Sequence, residues 1–243
     1  MHARPRPAED PSSTPEDFAP GTDERLSPQI ARWLREQIIS GAFESADRLK
    51  PERIGTQVGV SATPVREALM TLTGEGLVSF TPGRGFTVKA LTREDITDLM
   101  DAHAYFAAQL ARRSCRLLSD AQVSELRALQ GRIVREGHDG DPHLLDSLDD
   151  QFHHLINHVV PSPRLKWLYS VTFKFIPHRL FGEIEGFAEA AIEDHIMVLK
   201  GIGNRDPQAT AAAMQAHWLN VSAQLIANLR RRGVLVDTSQ AGA

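Results

Sequence analysis

The sequence predicts a mostly α-helical protein with a small helix-and-hairpin unit near the N-terminus and an antiparallel helical bundle behind it. Three observations support this fold class. Between residues 51 and 88, two short helix patterns precede a glycine-rich turn that joins two short apolar runs. After residue 91, capping and proline signals separate six helix-like segments without a strand pattern. A chain of 243 residues also has room for two domains of ordinary size. We therefore expect a disordered tail (1–26), the helix-and-hairpin unit (27–90), the bundle (91–232) and a frayed C-terminal tail (233–243).

Three helices are predicted in the N-terminal unit. Ser27 followed by Pro28 is an N-cap with proline at the first helical position. Pro51 opens a second, short helix that ends at Gly59, and Ser61 caps the third helix. The apolar residues of this third helix recur at helical spacing, at Val65, Ala68, Leu69 and Leu72. The segment between the first and second helices is expected to be a loop.

A β-hairpin is predicted directly after the third helix. The segments Leu77–Phe80 and Phe86–Val88 have the composition of short strands, and the turn at 82–85 (PGRG) joins them. Arg84 lies at the tip of this turn. Two helices joined by a tight turn and followed by such a hairpin are typical of a winged helix-turn-helix.

The residue types of this unit suit nucleic-acid recognition. The N-terminal end of the third helix, which enters the major groove in such units, offers Ser61, Thr63 and Arg66. Hydroxyl and backbone N–H groups at a helix N-terminus suit phosphate oxygens, while arginine can pair bidentately with guanine. Arg84 can lie along the DNA backbone or in a minor groove. The spacing alone also allows a capped amphipathic helix with solvated charges, or a unit that contacts other proteins.

The stretch from about Ile30 to Leu91 resembles the N-terminal domain of GntR-family bacterial transcription regulators. It has the ordered series S-x-TPVREAL, EGLV and GRG. The resemblance implies that Arg53, Thr63 and Arg66 contact operator DNA, together with the wing residues Gly83 and Arg84. The family usually has a basic residue directly after the capping serine, where this chain has Ala62, so one DNA contact is expected to be missing.

Composition and charge limit where such a protein works. The net charge is −4, but residues 28–91 carry eight Lys or Arg against six Asp or Glu. This small positive excess favours a sequence-reading domain over a nonspecific polyelectrolyte binder. No apolar run approaches the roughly 18–20 residues of a membrane span, and the N-terminus lacks the apolar core of a signal peptide. Cys115, the single cysteine, provides no disulfide framework, so we expect a cytoplasmic protein outside the membrane.

Capping signals mark the helices of the bundle. Thr92 and Asp95 resemble a capping box with aspartate in place of glutamate, and Ser119 with Gln122 forms another. A glycine-containing break is expected at 137–140, and Asp206 followed by proline starts the long last helix. Six helices with short connections predict an antiparallel bundle.

Four residues of the bundle are candidate metal ligands. Asp149 and His153 are four residues apart, so one helix presents both from the same face. If the faces that carry His195 and His217 converge on them, one carboxylate and three imidazoles suit Zn, Ni, Mn or Fe. The pair His154 and His158 has the same spacing and is an alternative: a solvated polar face, or the true ligand face.

The bundle also resembles the FCD effector-binding domain that follows the winged helix in one large GntR subgroup. The matching pieces, from about Leu91 to Leu229, are LDDQFHHLI, EDHIMVLKGI and RDPQATAAAMQAHW. In metal-binding members these positions are the ligands, which implies Asp149, His153, His195 and His217. The phenylalanine before His153 favours His153 over His154.

Two departures from that subgroup concern the effector. The first bundle helix, LMDAHAYFAAQLARR, has no clear equivalent of the family's arginine and glutamate. We therefore predict His103, Tyr105 and Arg179 as effector-pocket candidates. Ser162 replaces the asparagine usual before the proline-bounded turn, so the ligand can differ from the small carboxylates common in the subgroup.

Together these features predict a homodimeric transcription regulator. The resemblance implies that it acts as a repressor, the commoner role in the family. Its partners would be palindromic double-stranded operator DNA, a divalent metal ion and a small effector, which the resemblance implies is an organic acid. The alternatives are a metal sensor in which the ion is the signal and a metal-dependent enzyme that uses the same His/Asp cluster. The sequence contains no H-E-x-x-H motif and no nucleophile–base arrangement, so we predict that the protein is not an enzyme.

Overall fold

The computed structural model describes residues 25–139, 142–175, 184 and 186–236, with the side chains of 137–143 outside the description. The chain divides into two compact units, Met1–Leu91 and Thr92–Ala243. The predicted N-terminal tail lies outside the described residues except for its last two, as does the candidate Arg179. None of the described helices combines the length and the hydropathy needed to cross a membrane.

The first unit is a winged helix-turn-helix, as predicted. Its helices and strands are α1 Leu26–Ile39, β1 Arg48–Leu49, α2 Pro51–Val58, α3 Ala62–Gly74, β2 Val78–Thr81 and β3 Gly85–Val88. The three strands form an antiparallel sheet in the order β1-β3-β2, with Phe80 opposite Phe86 in the hairpin. The segment predicted as a loop between α1 and α2 therefore contains a short strand, because Arg48–Leu49 pairs with β3.

Helix α3 is held by its apolar stripe. Val65, Ala68, Leu69 and Leu72 are completely buried, as the helical spacing predicts. Helix α1 packs against α3 and contributes the fully buried Ile30 and Leu34. The opposite face of α3 stays exposed, so burial orients the face that carries the recognition residues.

Helix α1 begins earlier than the proline signal predicts. Its N-cap is Arg25, and Ser27 and Pro28 lie inside the first turn. Proline is tolerated there because the first N–H groups of a helix have no intrahelical partner. The prediction of Ser27 as N-cap is therefore wrong by two residues.

The second unit is a helical bundle, as predicted, and six helices lie in its described residues. Its helices are α4 Arg93–Ser114, α5 Asp120–Asp139, α6 Pro142–His158, α7 Pro163–Phe173, α8 Phe187–Gly203 and α9 Pro207–Arg231. Helix α9 packs against α4 and α8, and α5 packs against α6 and α8. Phe152, Leu126 and Val198 are fully buried in the core between them. Helix α5 continues to Asp139, past the glycine at which the sequence analysis places a break.

Local side-chain caps fix where the bundle helices begin. Thr92 and Asp95 form a reciprocal capping box at α4, and Ser119 and Gln122 form another at α5. Asp206 accepts hydrogen bonds from the first backbone N–H groups of α9. All three signals were read correctly from sequence because they depend only on neighbours in the chain.

The end of the described chain differs from the predicted frayed tail. Leu235–Val236 forms strand β5, which pairs with β4, Leu91–Thr92. Such a two-residue strand has no periodic pattern of its own, because it exists only through pairing with a distant segment. The remainder of the predicted tail, 237–243, lies outside the described residues.

Candidate nucleic-acid interface and metal centre

The N-terminal end of α3 presents the predicted recognition residues to solvent. Ser61, Thr63 and Arg66 are all exposed. Ser61 is the N-cap residue, but its side chain makes no cap hydrogen bond. The Ser61 hydroxyl is therefore not engaged in capping α3, and it lies beside the backbone N–H groups that suit phosphate oxygens.

The turn between α2 and α3 depends on two glycines. Gly59 caps α2 in the left-handed conformation, with φ of 73°. Gly55 permits a close approach, since a Cβ there would lie 2.7 Å from the carbonyl oxygen of Val60. These positions set the angle at which α3 follows α2.

Arg66 lies beside an acidic residue of the preceding helix. Its Nη2 atom lies 3.5 Å from Oε1 of Glu52 on α2, and both side chains are more than half exposed. An exposed pair of this kind contributes little stability, so Arg66 can exchange Glu52 for DNA at little cost. Arg53, also on α2, is exposed as well.

The wing turn holds Arg84 between two glycines in left-handed conformations. Gly83 and Gly85 have φ values of 77° and 84°, which β-carbon-bearing residues rarely adopt. The Arg84 backbone N–H donates to the Thr81 carbonyl at 3.0 Å, closing the turn. The Arg84 side chain is exposed at the tip, where a groove or DNA backbone can be reached.

A buried ion pair that was not predicted from the sequence supports the far end of α3. Arg35 of α1 donates from Nε and Nη2 to the two carboxylate oxygens of Glu75, at 2.8 and 2.9 Å. Less than a tenth of either side chain is exposed. A bidentate pair of this kind fixes α1 against the end of α3. Nothing local marks it, because the two residues are 40 positions apart.

In the bundle, the structure brings the four predicted metal-ligand candidates together. The imidazoles of His153, His195 and His217 are buried, and one ligand nitrogen from each lies within 4.8 Å of the others. The Asp149 carboxylate faces two of them: Oδ1 lies 3.4 Å from Nε2 of His195, and Oδ2 lies 3.7 Å from Nε2 of His153. Helices α6, α8 and α9 supply these residues.

Gln130 of α5 holds the His195 ring. Its Nε2 donates to the Ile192 carbonyl at 3.0 Å, which directs its Oε1 toward Nδ1 of His195, 3.1 Å away. Nδ1 therefore carries the proton and donates to Gln130, and the lone pair lies on Nε2. Nε2 is completely buried and makes no hydrogen bond within the described part of the chain, its polar neighbour being the Asp149 oxygen 3.4 Å away, as expected for a nitrogen that donates its lone pair to a metal ion.

Asp194 contacts the Nδ1 side of the His217 ring, as Gln130 contacts the Nδ1 side of the His195 ring. Its Oδ2 lies 3.5 Å from Nδ1 of His217, and Asn220 donates to both Asp194 oxygens at 3.0 and 3.1 Å. Burial tends to raise the pKa of Asp194, but the contacts with His217 and Asn220 outweigh it, so the pKa is lowered. An ionised carboxylate behind an imidazole orients the ring and increases its basicity toward a metal.

Burial shifts the protonation of the cluster itself. It raises the pKa of Asp149 to about 8, and the negative charges of Asp150 and Asp146 act in the same direction. Burial also lowers the pKa of His195 well below its ordinary value, with His217 adding to the effect. The cluster thus has a neutral imidazole ready to donate a lone pair and a carboxyl group that, without a nearby cation, stays largely protonated at neutral pH. This donor set fits a divalent transition-metal ion.

Of the effector-pocket candidates, the two that the structure describes have different surroundings. His103 is completely buried, with Nδ1 2.9 Å from the Thr172 hydroxyl and its ring against Tyr169 and Trp218. Tyr105 is 54% exposed on α4, and Arg179 lies outside the described residues.

An open cavity beside the cluster was missed by the sequence analysis. It has a volume of about 640 Å³ and lies between α5, α6 and α7. His153 lines it, and so do His154 and His158, the pair that the sequence left as an alternative ligand face. These two rings stack with centroids 5.1 Å apart and are exposed. Their spacing of four residues places both rings on the helix face that borders the cavity.

Comparison with known proteins accounts for both units. The model of bacterial regulatory proteins of the gntR family matches residues 26–88, and the FCD domain model matches residues 98–220, just over half of the chain. The HTH-type transcriptional repressor RspR of Escherichia coli K12 is 25% identical over 203 residues, which cover 81% of this chain and 87% of RspR. The Uxu operon transcriptional regulator of the same strain is 27% identical over 220 residues, covering 82% and 86%.

The fold has solved counterparts as well. E. coli McbR/YncC superposes with a TM-score of 0.64 at 23% identity, covering 83% of this chain and 97% of the other. A putative GntR regulator from Rhodococcus sp. RHA1 superposes with a TM-score of 0.57 at 20% identity, covering 83% and 97%. The matching families and relatives are transcription regulators and not enzymes. The chain therefore belongs to the GntR family of bacterial regulatory proteins, as a DNA-binding transcription regulator with a C-terminal FCD domain.

Proposed function

We propose that this regulator is a cytoplasmic homodimeric repressor whose bundle holds a divalent metal ion and responds to a small organic acid. The observation that carries the proposal is the meeting of three buried imidazoles, with ligand nitrogens within 4.8 Å of one another, beside the Asp149 carboxylate. A buried imidazole nitrogen without a hydrogen-bond partner is costly; Nε2 of His195 has none among the described residues, and a bound ion would remove that cost. The named relative RspR is a repressor, which supports the sign of control.

The residues of the cluster divide into ligands and supports. Asp149, His153, His195 and His217 would hold Zn, Ni, Mn or Fe, while Gln130 and Asp194 keep two of the rings in place. A bound ion of this kind can polarise and hold a carboxylate oxygen of an effector. Because His153 also lines the open cavity, an effector in that cavity can approach the cluster.

On the DNA side, Arg53, Ser61, Thr63, Arg66, Gly83 and Arg84 would form the contact surface, and all six are exposed. A two-fold dimer presents two α3 helices to two half-sites, so a palindromic operator is expected. Effector control requires that the effector bind two arrangements of the protein differently, by about 1–3 kcal/mol. The large cavity favours an organic effector over the alternative of a metal sensor, for which the ion would suffice.

Metal analysis of paired variants tests the proposal. Purified wild-type protein should carry about one metal ion per chain by mass spectrometry. His153→Ala should lose it, whereas His154→Ala, an exposed neighbour on the same helix, should keep it. The opposite pattern would indicate that the metal binds at the His154/His158 face. A wild-type protein that contains no metal and still represses would refute the proposal that repression involves a bound ion.

Titration of operator DNA by fluorescence anisotropy then separates the two kinds of signal. If the ion supports an organic effector, operator affinity should stay nearly constant between metal-free and metal-loaded protein and change when the acid is added. An affinity that follows the free metal concentration alone would establish the metal-sensor alternative.

A further inference from the structure

The two exposed histidines of α6 have the spacing and the separation of a metal-chelating pair. His154 and His158 are four residues apart, so the helix presents both imidazoles from one face. Two histidines at this spacing are also the zinc ligands that one helix supplies in the H-E-x-x-H arrangement. The two rings have centroids 5.1 Å apart. Two imidazoles bound to one tetrahedral ion have centroids about 5 Å apart, because the metal–nitrogen bonds are about 2.0–2.1 Å long.

The buried cluster allows a comparison within the same molecule. The rings of His153 and His217 have centroids 5.1 Å apart and planes inclined by 23°. The His195 ring lies 5.1 Å from the first of these and 4.8 Å from the second. The exposed pair, at 5.1 Å and 28°, therefore has nearly the same arrangement as the first pair of candidate ligands in the cluster.

The charges around the exposed pair favour a cation. Both rings border the cavity between α5, α6 and α7, which Asp150 and Glu125 also line. Asp150 lies four residues before His154, so a carboxylate belongs to the same row of the helix. Lys166 opposes an ion here, because its Nζ donates to the backbone carbonyl of His158 at 3.4 Å. The two acids outnumber this lysine, the one Lys or Arg among the described lining residues, so the lining attracts a divalent cation.

Exposure and ligand number set the strength of such a site. His154 and His158 are exposed, whereas the imidazoles of the cluster are almost completely buried. In the part of the chain that the structure describes, a group of three potential ligands occurs at the buried cluster and not at the exposed pair. Water molecules would complete the shell of an ion held by the pair. With two protein ligands and open access to solvent, that ion binds more weakly and exchanges faster.

We propose that His154 and His158 form a second, exchangeable site for a divalent transition-metal ion on the cavity face of α6. Imidazole nitrogens suit Zn, Ni and Cu. The inference goes beyond the proposed function, because it requires no ion in the buried cluster. An ion at the exposed pair equilibrates with free metal in solution, whereas an ion in the buried cluster stays with the protein.

Equilibrium dialysis of the full chain against micromolar Zn²⁺, with metal counted by mass spectrometry, tests the site. Compared with desalted protein, dialysed wild-type protein should gain an ion that His154→Ala and His158→Ala each bind at least about tenfold more weakly, because chelation needs both imidazoles. Both residues are exposed, so neither change should lower the thermal stability. No gain of metal in wild-type protein, or a loss of half the gained metal in each variant with unchanged affinity, would overturn the proposal.

Two double variants test whether the spacing matters. In the His158→Ala background, Gln151→His places an imidazole three residues before His154, on the same face, and should restore the gained ion. Ser147→His in that background is the matched control. It also adds a histidine to an exposed position of the cavity wall, but about 10 Å from His154 along the helix, so it should restore little. Equal binding by the two double variants would contradict chelation by a spaced pair.

The same samples keep this proposal separate from the proposed function. Metal that survives desalting reports the buried cluster, and metal gained on dialysis reports the exposed pair. A chain without the first that gains the second contradicts the resident ion and supports the exchangeable site. A chain that keeps the first and gains no metal that depends on His154 contradicts the exchangeable site alone.

Discussion

Raising the pH from 6.5 to 8 should lower the free energy of unfolding of the metal-free protein, because Asp149 keeps its proton far above the usual range. Burial raises the pKa of Asp149 from 3.8 to about 8. Between these values the folded chain holds a proton that the unfolded chain has lost, so stability falls as the pH rises. The sign is opposite to that of a salt-bridged carboxylate, whose pKa is lowered.

The size of the effect follows from the pH window. Below about pH 6.5, His195 acts in the opposite direction: burial lowers its pKa, so the unfolded imidazole takes up a proton that the folded one refuses, and stability falls with falling pH. Above pH 6.5 the Asp149 contribution dominates. One pKa unit corresponds to about 1.4 kcal/mol, so the interval from 6.5 to 8 amounts to about 2 kcal/mol.

Urea unfolding of chelator-treated protein, followed by helical circular dichroism, measures this loss. Asp149→Asn is the matched control because an amide cannot ionise, so wild-type protein should lose about 2 kcal/mol more than the variant across the window. Bound metal favours the ionised carboxylate, so loading with zinc should shrink the loss, and metal affinity should rise with pH. Identical pH slopes in wild type and Asp149→Asn would refute the reasoning.

Further predictions concern single side chains. Arg66→Ala should weaken operator binding by about 1–3 kcal/mol, and by less on unrelated DNA, in anisotropy titrations; equal losses on both would make Arg66 a phosphate contact only. Gly201→Ala should destabilise the bundle by about 1–3 kcal/mol in urea unfolding, because its Cβ would lie 2.7 Å from the backbone nitrogen of Thr210. In Gly203→Ala, on the same helix, the new Cβ would contact the end of a flexible arginine side chain, so the loss of stability should be much smaller. Arg35→Met leaves the carboxylate of its buried ion pair without that partner and should destabilise the winged unit by about 3–5 kcal/mol; a loss below 1 kcal/mol would contradict that role.

Much of the fold was predictable because its signals are local. The apolar stripe of α3, the glycine that ends α2 and the caps of α4, α5 and α9 each depend on residues a few positions apart. The strands β1 and β5 were missed for the opposite reason. Each is two residues long and is defined by hydrogen bonds to a segment distant in sequence, so no period could reveal it.

The same distinction applies to the DNA-facing surface. Ser61, Thr63 and Arg66 follow from the start of α3, and Arg84 from the turn that the glycines require. The buried contacts that hold this surface in place could not be predicted from the sequence. The buried partner of Arg35 is 40 residues away, so its role becomes clear only when α1 and α3 are packed together.

The histidine cluster shows what residue spacing can and cannot predict about candidate metal ligands. Asp149 and His153 share a helical face by spacing alone, but the same rule applies to His154 and His158, and spacing does not tell which of the two faces is buried. Packing makes the choice: His153 turns inward toward His195 and His217, and His154 lies exposed on the cavity wall. Rows one residue apart on α6 therefore have different surroundings: one faces the buried imidazoles and the other borders the cavity.

The supports of the cluster complete this division of roles. A ligand histidine has to offer its lone pair on the nitrogen that faces the cluster, and that depends on what its other nitrogen contacts. Gln130 determines which nitrogen of His195 carries the proton, because the Ile192 carbonyl fixes the orientation of the Gln130 amide. Asp194 can do the same for His217 because Asn220 donates to both of its oxygens. We therefore expect the proposed metal site to depend on contacts made by α5, α8 and α9 as much as on the four ligand candidates, so a variant that keeps those four but loses Gln130 or Asp194 should bind metal more weakly.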